Sequence, residues 1–153
     1  MVARLALGQS ADDAFITRDD YGNGYSGWEL KGTEDCDAME HFAIQVATTT
    51  STTTRCSLTI PSPGVWYHVA GVYDAEAQEM HVYVNGVLDD GILSGLVPAS
   101  QVEPASGVHA QIGNSDPAQG VSGGDYPFDG KLDEVRFYTR ALNAGEIAAI
   151  ATP

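Results

Sequence analysis

Basic residues are scarce in this chain. Seven Lys and Arg stand against 21 Asp and Glu, leaving a formal net charge of -14 and a sequence pI near 4.3. Such a field repels a phosphate backbone, so nucleic acid is not expected as a partner. Cysteine is nearly absent too. Cys36 and Cys56 admit at most one intrachain disulfide, the alternative being two separate buried thiols, and their spacing matches no zinc pattern. No apolar run approaches the roughly 20 residues of a membrane-spanning helix, and the opening MVARLALGQS has too short an apolar core for a secretion signal. No membrane insertion is expected. Missing as well are a phosphate-binding loop and a zinc-protease motif, and Ser26 in GYSGW lacks the spacing of a nucleophile elbow.

What is present suits a globular, turn-rich protein. At 153 residues the chain fits one domain with a real core, and 17 glycines and 7 prolines punctuate it. Apolar residues alternate. Phe42, Ile44 and Val46 share one face of HFAIQVA, and Met80, Val82 and Val84 share one face of MHVYVN, so both read as half-buried strands with a wet side. A hairpin is expected from WYHVAGVY through DAEAQE to MHVYV, placing His81 opposite Val72, and Asn85-Gly86 then supplies the left-handed pair of a type I′ turn into a third strand. DAFITR, YSGWELK, RCSLTI and HAQIGN are further strand candidates between turn signals, and TTTSTTT reads as two strand ends around a tight turn. Many short strands at even spacing predict an all-β sandwich or barrel. One helix is expected, over LNAGEIAAIA: Asn143 caps it, Glu146 completes a capping box, and Leu142 and Ile147 form a hydrophobic staple.

The acidic residues come in small clusters, at Asp12-Asp13, Asp19-Asp20, Glu34-Asp35-x-Asp37 and Asp89-Asp90. They read as solvated loop charge or, more sharply, as oxygen ligands for a hard cation such as calcium. The four histidines fall on separate expected strands and read as ordinary packing.

The order WYHVAGVYD, MHVYVNGVL, QIGNS and FDGKLDEVRFYTRALNAGEIAAI resembles the laminin G-like, concanavalin A-like jelly-roll family over Trp66 to Ile150, with FITRDDYGNGYSGWELK similar in order upstream. The resemblance implies an all-β, two-sheet antiparallel sandwich with one short C-terminal helix, occupying residues 1–153 as a single domain that lacks the family's first strands. Uncovered edges and apolar faces would then invite pairing with another chain. It implies an extracellular or cell-surface protein, with Asp133 in the position of a structural calcium ligand.

Enzymes of this fold class set acids in a Glu-x-Asp-x-Glu strand pattern, which is absent here; Asp133 and Glu134 are adjacent and would point to opposite faces of a strand. Glu134 is instead expected to pair with Arg136. Aromatics at Tyr21, Tyr25, Trp28 and Tyr126 lie in or beside Gly-rich loops. Tyr21 and Tyr126 are expected as ligand contacts and Trp28 and Trp66 as core residues. The expected function is a non-catalytic recognition or adhesion module for glycan or extracellular protein within a larger secreted or surface protein. The alternatives are an accessory domain of a carbohydrate-active enzyme and a purely structural spacer.

Overall fold

The computed structural model of the chain describes residues 1–7, 13–19, 26–48, 50–104, 107–114 and 127–152. Among the described residues eleven strands and one helix follow in order: β1 (Val2–Leu7), β2 (Ala14–Asp19), β3 (Gly27–Thr33), β4 (His41–Ala47), β5 (Thr52–Ser57), β6 (Trp66–Asp74), β7 (Glu79–Val84), β8 (Val87–Leu88), β9 (Asp90–Ser94), β10 (Gln111–Ile112), β11 (Gly130–Arg136) and α1 (Ala144–Ala151). They form two antiparallel sheets. One has the order β11-β1-β6-β7-β8 and the other β10-β2-β3-β4-β5-β9.

Alternation builds the core between them. Phe15, Leu30, Phe42, Ile44 and Val46 from one sheet meet Val69, Met80 and Val82 from the other. The sheets approach closely at Gly71, where an added Cβ would stand 2.9 Å from Ile44 Cβ. A larger residue there would force the layers apart.

The central hairpins follow the sequence expectation. His81 stands opposite Val72, and Asn85 (φ 50) and Gly86 (φ 82) turn β7 into β8 in the left-handed region. Gly86 is needed twice over, because Ala148 Cα of α1 lies 3.2 Å from where its Cβ would be. The threonine run turns as expected, Thr48 N donating to Ser51 O at 2.8 Å. The strand expected at RCSLTI instead begins at Thr52 and ends at Ser57, because Thr52 to Cys56 find partners along β4 while Leu58 and Ile60 lie exposed beyond it.

Three expectations are corrected. β4 has no wet side: all seven of its residues are buried, its outward Gln45 being held between the side chains of Glu29 and Thr54 on the strands either side. On β7 the second face is partly covered, Tyr83 being buried where α1 packs. Trp66, expected in the core, is 43% exposed. It shares a face with Ala70 and Val72, the outer face of its sheet, at the end away from those two α1 contacts.

The helix is set by its own N-terminus and by packing. Asn143 Oδ1 accepts from Glu146 N at 3.0 Å, and Asn143 N donates to Glu146 Oε2 at 3.0 Å, closing the capping box. Leu142 and Ile147 then bury against Ala70, Val72 and Tyr83 on the outer face of the five-stranded sheet. Cys36 and Cys56 are joined in a disulfide that ties the segment between β3 and β4 to β5.

Candidate functional site

A cleft of about 640 Å³ opens where β1 begins, between the end of β6 and the segment joining β11 to α1. Sequence places aromatic residues on both of its sides. Trp28 extends from β3, half-buried against the core, and Phe137 follows directly on β11; their rings lie 5.4 Å apart at 57°. Phe137 and Tyr138 are 47% and 38% exposed, because β11 ends at Arg136 and the chain there swings out toward the helix.

Polar groups rim the cleft. Arg140 is held by Glu146 through Nη1 at 2.8 Å and Nη2 at 2.6 Å. The Arg140 guanidinium, with the Asn143 amide, holds the Glu146 carboxyl down at about 2. Asp74 Oδ1 accepts from Glu76 N and Ala77 N, both at 3.0 Å, and so fixes the tight turn between β6 and β7. Glu76 completes the mouth on that side. The arrangement can offer an aromatic surface and a few hydrogen-bonding groups to a ligand.

The sequence-expected site residues lie elsewhere. Tyr21 and Tyr126 are outside the described residues. Asp133 is exposed on edge strand β11, in register with Arg4 of β1, and its Oδ1 accepts from Glu134 N at 2.8 Å. The strand is bulged there. Glu134 and Val135 together stand against Ala3, and Glu134 takes φ 51. Glu134 pairs with Arg136 as the sequence suggests. A calcium ion takes six to eight oxygens. Among the described residues no three His, Cys, Asp or Glu gather as a metal site.

Glu34, Asp35 and Asp37 are exposed, as solvated loop charge would be, but the other acidic clusters are less solvated than the sequence suggests. Asp13 and Asp19 are buried, at 0% and 6% exposure. Asp89 Oδ2 accepts from Thr59 N at 2.9 Å, and Asp90 Oδ1 accepts from Val82 N at 2.8 Å. Asp90 also draws in His81, whose Nδ1 lies 2.7 Å from Asp90 Oδ2. Arg55 Nε donates to Met80 O at 3.0 Å and its Nη1 to Gly91 O at 3.1 Å, so this group clasps the two sheets together. Asp12 and Asp20 lie outside the described residues.

Glu29 was given no role by the sequence. It lies on the outer face of the six-stranded sheet in a cross-strand row with Thr17, Gln45 and Thr54, all buried. Gln45 Nε2 reaches Glu29 Oε2 at 3.4 Å, and Lys31 Nζ lies 3.5 Å from the same oxygen. Burial pushes the Glu29 carboxyl up to about 7; nearby Lys31 opposes the rise and Asp19 adds to it. A row this closed to solvent locks strands rather than meeting a ligand.

The fold is shared with solved proteins. A heptameric SAP-like pentraxin from Limulus polyphemus superposes with a TM-score of 0.70 at 18% identity, over 99% of this chain and 68% of the pentraxin. A protein from Bacteroides ovatus, provisionally described as carbohydrate-binding, superposes at 0.67 and 20% identity over 96% of this chain and 38% of its own. No curated protein matches the chain. A laminin G-type family model, described as the concanavalin A-like lectin/glucanases superfamily, matches residues 4–148, and the chain belongs to that superfamily.

Proposed function

We propose that this chain is a non-catalytic recognition module, serving a larger secreted or surface protein, that binds glycan or protein through the cleft at the start of β1. One observation carries the reading: the Trp28 and Phe137 rings stand 5.4 Å apart in an open cleft. Aromatic faces bury large area at small entropic cost, and a polar rim orients what lands on them. The superfamily includes glucanases, yet the cleft's carboxylates are not placed for that chemistry. Asp74 is occupied as a turn cap, and no Glu-x-Asp-x-Glu strand exists in the sequence.

The test is a glycan array read with Phe137→Ala and Tyr138→Ala beside Tyr21→Ala and Tyr126→Ala. Loss of an exposed aromatic platform is expected to weaken binding about tenfold or more. Signal lost in the first pair and kept in the second assigns the cleft. Signal kept in the first pair removes the cleft as a glycan site.

A further inference from the structure

The buried row on the outer face of the six-stranded sheet brings a hydroxyl, a carboxamide and a carboxyl group into line. Thr54 of β5 stands directly opposite Gln45 of β4, and Gln45 directly opposite Glu29 of β3. Thr54 Oγ1 donates to Gln45 Oε1 at 2.9 Å, and Gln45 Nε2 donates to Glu29 Oε2 at 3.4 Å. These two contacts set which way the amide points, oxygen toward the hydroxyl and nitrogen toward the acid. Thr17, the other hydroxyl of the row, gives its proton to Asn114 O at 3.1 Å instead.

Each group is placed as an acyl transfer needs. With a C=O bond of about 1.23 Å, a hydroxyl 2.9 Å from Gln45 Oε1 lies roughly 3–4 Å from Gln45 Cδ, near the contact distance for attack. Holding two reacting groups on paired strands at this range is worth an effective concentration on the order of 10⁵ M or more. Gln45 and Thr54 are 5% and 4% exposed, so bulk water competes little with the hydroxyl and reaches the product slowly. Burial keeps the Glu29 carboxyl protonated up to about 7, against the pull of Lys31 and with the help of Asp19, so near neutral pH a proton stands beside the amide nitrogen.

We propose that Thr54 and Gln45 join in an ester that links β5 to β4, formed by the chain itself with release of ammonia. Thr54 Oγ1 adds to Gln45 Cδ, and its proton passes along the existing hydrogen bond to Oε1. At the tetrahedral carbon the nitrogen becomes an amine, takes the Glu29 proton and departs as the Cδ–Nε2 bond breaks. The Oε1 proton then returns to Glu29, which ends as it began. The disulfide already anchors Cys56, two residues along the same face of β5, so the ester adds a second covalent tie beside the turn that Thr48 and Ser51 close. This lock is independent of the cleft and of what binds there.

The test is the intact mass of the folded chain, weighed with its disulfide reduced. It is expected to fall short of the sequence by one ammonia. Trypsin cuts after Lys31 and Arg55, so both residues stay in one peptide, and tandem fragmentation of it is expected to release no separate ions from breaks between Gln45 and Thr54. Hydroxylamine on the unfolded chain is expected to open the bond and leave a hydroxamate at Gln45, as it does with an ester and not with an amide. Thr54→Ala is expected to show the full mass, Thr54→Ser to keep the deficit, and Glu29→Gln to gain it about a hundredfold more slowly after synthesis. The hydroxylamine result is read on the parent chain, so the test stands even where Thr54→Ala folds poorly. A folded parent that keeps its full mass through prolonged incubation at pH 7 overturns the proposal. So does a deficit that survives in Thr54→Ala, resists hydroxylamine or appears as fast in Glu29→Gln.

Discussion

Glu29 shows what a single buried carboxyl does to stability. Its folded value of about 7 stands above the usual 4.5, chiefly because burial disfavours the charge. Between those two values the native state keeps a proton that the unfolded chain gives up. Stability therefore falls as pH climbs from about 4.5 to about 7 and levels off above, by an amount on the order of 3 kcal/mol at most. Glu29→Gln is expected to flatten that slope, since the amide can still accept from Gln45 and has nothing to titrate. Urea midpoints of both proteins at pH 5 and pH 8 check this; equal slopes would discard it. Nothing in GWELK announces this residue. Its burial comes from neighbours on β2, β4 and β5 that are distant in sequence, which is why the acids read as loop charge before the strands are paired. Asp90 is similar: it stands in the same sheet as Arg55, whose β5 is distant in sequence, and reaches across to Val82 and His81 of the other sheet.

Elements formed by local rules are the legible ones. The β6-β7-β8 meander declares itself through alternation and Asn85-Gly86, and α1 through Asn143 and Glu146. β1 and β9 do not: VARLAL and DGILS carry weak patterns and become strands by pairing with β11, β6 and β5 from far along the chain. The cleft was legible only in part. Trp28 reads as an aromatic beside a Gly-rich loop but is expected in the core, while Phe137 is placed by the end of β11, which no local signal fixes. For α1 the two contributions can be weighed. An eight-residue helix is too short to stand on its cap, so packing should dominate. Asn143→Ala is expected to cost about 1 kcal/mol, and Ile147→Ala roughly 2–5 kcal/mol because it opens a hole beneath the helix. Chemical denaturation of both variants ranks them; a costlier Asn143→Ala would mean that the cap, not the buried face, holds the helix.

At the scale of the whole molecule, net charge and the question of calcium meet in one measurement. Fourteen uncompensated negative charges repel one another across a domain of 153 residues. Raising NaCl from about 10 mM to about 150 mM shortens the screening length from roughly 30 Å to roughly 8 Å. The exposed pairs Arg18–Glu103 and Arg140–Glu146 lose a little by this, but solvent-exposed ion pairs contribute little to stability, so relief of repulsion wins and the melting midpoint should rise. Calcium added at fixed ionic strength separates binding from screening, because an ion bound only by the native state must raise the midpoint further. Asp133, exposed on β11 with one oxygen accepting from Glu134 N, offers little of the six- to eight-oxygen shell that such an ion takes. Asp133→Asn is therefore expected to leave any calcium-specific rise intact. A rise that disappears in Asp133→Asn would instead restore the final strand as a calcium ligand, drawing its other oxygens from residues outside those described.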